Sequence, residues 1–221
     1  MLRRRHDAEI MDDFSIQDVR IEDALHELKL VNRFLGGKAT TQKGFRILRI
    51  KKGLHDSLLV LDAGAGGADV FENKKEQYEI IALDKNPRTC SYLQEHSRHS
   101  IICGDAMDLP FKERSVDVIH VSLFLHHFTE EKIKILLSSF ANVARHGIII
   151  NDLQRSIVAL IGIKILTALF SRSAMVKNDA PLSVLRGFTK KEMTNILNEC
   201  NFNNIVIKRT WAFRWLVVIE L

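Results

Sequence analysis

The stretch Leu58-Leu59-Val60-Leu61-Asp62-Ala63-Gly64-Ala65-Gly66-Gly67-Ala68-Asp69 decides how the rest of this 221-residue chain is read. An apolar run of strand length, Leu58 to Leu61, stops at an acid and passes into a loop of small residues. A run bounded this way reads as a strand buried on both faces of a parallel sheet. Glycines at 64, 66 and 67 let the backbone turn sharply and approach a ligand with no Cβ in the way. A helix following the loop, expected over Val70 to Lys75, would aim its free N–H groups at that ligand. The loop is therefore a nucleotide-type site. The dinucleotide fingerprint G-x-G-x-x-G requires glycine at position 69, where Asp69 stands, so a nicotinamide dehydrogenase is disfavoured.

Downstream, strand-like and helix-like segments alternate. Glu79 to Asp84 is a second strand ending in an acid, and Pro87 suits the first turn of the next helix. Ser100 to Cys103 is a third strand, followed by Gly104-Asp105-Ala106, and Val116 to Ser122 is a fourth. Thr129 opens a helix whose inner face is Ile133, Leu136, Leu137, Phe140 and Val143. Gly147 to Ile150 is a fifth strand leading into Asn151-Asp152. This spacing means a doubly wound parallel sheet. Upstream lie two added helices, one from Ile21 to Gly36-Gly37 and one over about Thr41 to Lys52. Downstream, Ile157 to Phe170 is apolar nearly all round, too short for a bilayer span of roughly 20 residues. It reads either as a helix buried against the core or as the lining of an acceptor pocket near a membrane surface. A capping box at Thr189–Glu192 starts the last helix, and Asn204 to Arg209 and Phe213 to Glu220 close the chain as strands.

Composition sets the outer limits. The net charge of +5 is too mild and dispersed to demand nucleic acid. Cys90, Cys103 and Cys200 lack metal-ligand spacing, so reduced thiols in a cytoplasmic protein are expected and no metal is. Charges interrupt the first apolar residues, unlike a signal peptide.

Taken in order, Asp62–Asp69, Asp84, Gly104-Asp105-Ala106, Ser115-Val116-Asp117-Val118-Ile119 and Leu125-His126-His127 resemble the motifs of class I S-adenosylmethionine (AdoMet) methyltransferases over about residues 57–152. The third glycine of that family's first motif is Ala68 here. Asp108-Leu-Pro-Phe111 and Leu125-His-His127 resemble the small-molecule, ubiquinone/menaquinone-like branch. Glu9-Ile-Met-Asp-Asp13, Asn32-Arg-Phe-Leu-Gly-Gly37, Ser122 to Phe128 and Asn151-Asp-Leu153 resemble the group found beside type III polyketide synthases.

The resemblance implies an α/β fold, a Rossmann-like seven-stranded doubly wound sheet with an antiparallel last strand. It would form a single domain with a helical cover (1–55), an AdoMet-binding core (56–152), an apolar insertion or lid (153–188) and a C-terminal helix and strands (189–221). It implies methyl transfer to a small apolar or aromatic phenol, enol or quinone-like acceptor, at oxygen rather than carbon. Asp62, Gly64, Ala65, Gly66, Asp84, Lys85, Asp105, Ala106, Ser122 and Arg33 are the expected cofactor residues, with Asp84 on the ribose, Asp105 on the adenine amine and Arg33, together with Asn32, on the cofactor's carboxylate. His126 or His127 would be a general base, an imidazole of ordinary pKa being suited to take a phenol or enol proton. Packing beside the cofactor is the alternative for either. Asn151 and Asp152 are expected to face the crevice and orient the acceptor or to serve the fold. A non-catalytic AdoMet-binding subunit is the alternative from another class.

Overall fold

Local chemistry starts and stops most elements where they are found. The computed structural model describes residues 2–16, 18–71 and 77–221. Asp18 caps α1 (Val19–Phe34) by accepting from the Arg20 N–H, and α2 (Gly37–Lys52) runs between left-handed Gly36 and Gly53. The apolar run becomes β1 (Leu58–Ala63), followed by β2 (Tyr78–Asp84). Asn86 and Pro87 open α3 (Pro87–His96) ahead of β3 (Ser100–Cys103) and β4 (Val116–Ser122). Thr129 caps α4 (Glu130–Val143), which runs directly into β5 (Ala144–Leu153). Then come α5 (Ile157–Phe170), α6 (Ala174–Arg186), α7 (Lys190–Glu199) with its capping box, β6 (Asn204–Thr210) and β7 (Arg214–Glu220).

The seven strands form one sheet in the order β3-β2-β1-β4-β5-β7-β6. Only β7 runs antiparallel, pairing with both β5 and β6. Strand order reverses between β1 and β4, and the crevice outside their carboxyl ends is where open α/β sheets take ligands. Period-2 alternation sorts the side chains. Leu58 and Val60 point with Ile149 and Val118 toward Phe45 and Leu48 of α2, whereas Leu61 and Ala63 point with Ile148 and Ile150 toward α4 and α7.

Three expectations need correction. After the loop, a 3-10 turn at Asp69–Phe71 stands where a helix over Val70 to Lys75 was expected, and residues 72–75 of that segment lie outside the described residues. Helix α6 carries no strong apolar period and was not anticipated. Helix α5 is neither a core helix nor part of the main cavity wall, because Ala159 and Thr167 alone are buried on it. Val158, Ile161, Ile165 and Leu169 face outward, Leu169 at 69% exposure. Its inner edge, at Leu166, Thr167 and Phe170, instead forms a separate groove with Leu30, Val31 and Phe34 of α1. Among the described residues, no helix is long and apolar enough to cross a membrane.

Candidate active site

A cavity of about 560 Å³ opens at the carboxyl ends of β1, β2, β3 and β4. The glycine loop forms one side. Gly64 has φ +68°, and a Cβ there would fall 2.1 Å from the Phe124 ring, so both conformation and space demand glycine. Gly66, at φ +50°, donates its N–H to Asp84 Oδ2 at 2.9 Å. The Asn86 N–H donates to Asp84 Oδ1 at 2.9 Å. Burial raises the Asp84 pKa, and these two N–H groups work against that rise. Each carboxylate oxygen keeps a second lone pair for a ligand. Ala68, in place of the third glycine, takes φ +47°, a left-handed conformation that costs an L-residue roughly 1–2 kcal/mol.

The third loop brings Asp105 and Ala106 to the same cavity. Asp105 accepts from the Met107 N–H at 2.9 Å, an Asx turn, and pairs with Lys85 at 2.7 Å. The Ser122 hydroxyl at the end of β4 is buried without a hydrogen-bond partner and borders the cavity, as expected of a group awaiting a polar ligand atom. Asp62, Gly64, Ala65, Gly66, Asp84, Lys85, Asp105, Ala106 and Ser122 thus share one cavity. Arg33 does not join them. It is exposed on α1, outside the lining, while its neighbour Asn32 reaches the cavity.

Asp62 has a further attachment that the motif alone did not disclose. It follows Leu58 and Val60 to the α2 face, where Oδ1 accepts from His120 Nδ1 at 2.6 Å. His120 Nε2 meets Thr41 Oγ1 at 2.9 Å, and Asn151 Nδ2 donates to Thr41 Oγ1 and to the Gly37 carbonyl. Buried Arg214 bridges Asn151 Oδ1 and Asn32 Oδ1. This polar chain ties α1 and α2 to β4, β5 and β7.

The opposite wall is the turn after β4. Leu123 enters it at φ +52°, an uncommon conformation for a bulky residue. The alternation of β5 sends Asn151 to the α2 face and Asp152 to the other, so only Asp152 supports this wall. Asp152 accepts from the Leu125 N–H at 2.9 Å, the His126 N–H at 3.3 Å and His126 Nδ1–H at 2.7 Å. Burial alone would raise the Asp152 pKa, but the facing His126, the Leu153 N–H and His127 together outweigh it and hold the carboxyl below its usual value. With Nδ1 donating, His126 presents Nε2 as its lone-pair nitrogen, and that atom is buried without a hydrogen-bond partner. His127 Nδ1–H likewise donates to Asp12 Oδ1 at 2.6 Å. Both histidines line the cavity.

The N-terminal segment completes this wall. Ile10 and Met11 donate their N–H groups to Asp179 of α6 at 2.8 and 3.0 Å, which brings Glu9 and Asp12 to the histidines. Arg186 of α6 donates to the His126 carbonyl, the His127 carbonyl and Asp12 Oδ2. Glu9 is buried, and burial lifts its carboxyl to about 7 against the pull of His127 and Arg186. Spacing in the sequence disclosed no metal-ligand set, yet Glu9, His126 and His127 form one cluster of ligand-capable side chains.

Residues 60–147 match a family model described as "Methyltransferase domain". The fold is shared with the plantazolicin methyltransferase BpumL in complex with SAH, at TM-score 0.67 and 12% identity over 96% of this chain and 98% of that one. It is shared also with the magnesium protoporphyrin IX methyltransferase ChlM from Synechocystis PCC 6803 with bound SAM, at TM-score 0.55 and 15% identity, covering 84% and 80%. A SAM-dependent methyltransferase from Aquifex aeolicus aligns at TM-score 0.54 and 18% identity, covering 80% and 88%. The order with β7 inserted antiparallel beside β5 also differs from the all-parallel dinucleotide-binding order. The match to the methyltransferase domain model runs from β1 into β5, and the whole sheet has the fold of these methyltransferase structures.

Proposed function

We propose that the chain methylates an ionisable hydroxyl, phenolic or enolic, on a small apolar or aromatic acceptor. The observation that carries this reading is that the glycine loop with Asp84 and the His126–Asp152 pair border the same cavity. Bound AdoMet supplies an electrophilic methyl group on a sulfonium. Asp84 holds the ribose hydroxyls, the Asp105 loop receives the adenine and Ser122 offers its free hydroxyl to the cofactor. Met11, Phe124, Phe128 and Leu153 give the acceptor an apolar wall and exclude water. The acceptor proton leaves toward the Nε2 side of the paired imidazoles, while Asp152 keeps His126 in the required tautomer. Alignment and a dry site supply the rest of the rate.

Labelled AdoMet offered with phenols, enols and carbon nucleophiles tests the acceptor class, and labelling confined to carbon would reject it. The cofactor assignment is tested by calorimetry of S-adenosylhomocysteine with Asp84→Ala. A loss of about 1.5–3 kcal/mol is expected for hydrogen bonds to a charged group, and unchanged affinity removes Asp84 from the ribose.

A further inference from the structure

We propose that Glu9, His126 and His127 bind a divalent transition-metal ion of the zinc class at the acceptor end of the cavity. One ligand-capable atom from each side chain lies within 4.8 Å of the other two. His126 Nε2 and Glu9 Oε1 are 3.6 Å apart. Two ligands on a tetrahedral zinc ion stand about 3.3 Å apart, given bonds of about 2.0–2.1 Å. Both atoms are buried with no hydrogen-bond partner, in residues only 3% and 6% exposed. Two facing lone pairs sealed from water are costly unless a proton or a metal ion lies between them, and 3.6 Å is longer than a hydrogen bond across a shared proton.

The surroundings are those of a metal site. Each imidazole gives Nδ1–H to a carboxylate, His126 to Asp152 and His127 to Asp12, which orients the ring and frees Nε2. The backbone of the pair is clamped by Asp152 on its N–H groups and by Arg186 on its carbonyls. Arg186 is the competing cation, 3.5 Å from Glu9 Oε1, but its Nη1 is hydrogen-bonded to Asp12 at 2.6 Å rather than to Glu9. Two histidines and one carboxylate are a recurrent donor set for catalytic zinc that leaves a position open to substrate. This rests on the proposed acceptor reading and, in the metal-loaded protein, replaces proton transfer to Nε2 with activation of the same acceptor oxygen by the ion. The acceptor oxygen takes the open position, its O–H bond breaks as the oxygen–metal bond forms, and the proton passes to solvent. The methyl group then moves from sulfur to that oxygen while the S–C electron pair stays on sulfur.

The test is titration of untagged, chelator-treated full-length protein with Zn²⁺ by calorimetry and with Co²⁺ by visible absorption. S-Adenosylhomocysteine binding is measured on the same samples. One ion per chain is expected, with a tetrahedral Co²⁺ spectrum. Glu9→Gln and His127→Gln should each weaken Zn²⁺ at least tenfold, and Asp12→Asn about 10–100-fold, with S-adenosylhomocysteine affinity preserved. X-ray absorption of zinc-loaded wild type must show two imidazoles, a measurement independent of whether any variant folds. Wild-type Zn²⁺ affinity equal to that of Glu9→Gln, or an absorption spectrum without imidazole, overturns the metal site. Metal binding without any S-adenosylhomocysteine binding would instead strike at the cofactor reading and leave the metal site standing.

Discussion

The wall around His126 and the outer face of α5 are opposite violations of the same rule. Around His126, the carboxylates of Glu9 and Asp152 and the guanidinium of Arg186 are buried. On α5, Ile161, Ile165 and Leu169 are exposed, while the one hydroxyl of that helix, Thr167, is buried and bonds back to the Ile163 carbonyl. Charged groups are almost never fully buried unless paired, and a surface helix normally turns its apolar stripe inward. The difference lies in how each exception is held. The polar wall is held by reciprocal hydrogen bonds from four separate parts of the chain, so loss of one member strands another. The α5 face touches little, so nothing in the fold depends on it.

Changes that test this contrast range widely in expected size. Asp152→Ala removes the acceptor for four N–H groups and leaves His126 without its carboxylate partner. Breaking a buried pair costs about 3–5 kcal/mol, which urea denaturation will read, and a loss under 1 kcal/mol would mean that the wall is not cooperative. His126→Asn keeps a polar side chain but loses the Nε2 lone pair. The transfer rate should fall about 10²–10⁴-fold with cofactor affinity intact, and a fully active variant would reduce this histidine to packing. Ile161→Glu and Leu169→Glu should change stability by no more than about 0.5 kcal/mol, the range for surface sites. A loss of several kcal/mol in thermal or urea melts would show that α5 is covered after all. Any rise in the acceptor KM, with stability unchanged, would restore α5 to the acceptor path.

Much of the sheet could be read from adjacent residues. Six of the seven strands appear within two residues of their expected limits, because apolar runs, strand-end acids and turn residues are neighbours in sequence, whereas β5 runs three residues past the expected Gly147–Ile150 at each end. That the glycine loop and the acids would share one cavity was legible for the same reason, since Gly64, Gly66, Asp84 and Asp105 each sit at the carboxyl end of a strand. Arg33 stands outside the cavity, and a helix position read without its neighbours does not say which face is covered. Asn151 and Asp152 were read as a pair facing the crevice, and strand alternation sends them to opposite faces.

The sequence by itself determined the strand–loop–strand rhythm, the glycine loop and the acids that follow it, because each depends on backbone needs met within a few residues. Only the tertiary structure decided that Glu9 and Asp12 meet His126 and His127, that Arg186 locks them, and that Asp62 turns to His120. It also decided that α5 faces outward. Contacts between distant segments depend on how whole helices and strands stack. A buried carboxylate or an exposed leucine acquires its meaning only once that stacking has settled which surfaces water can reach.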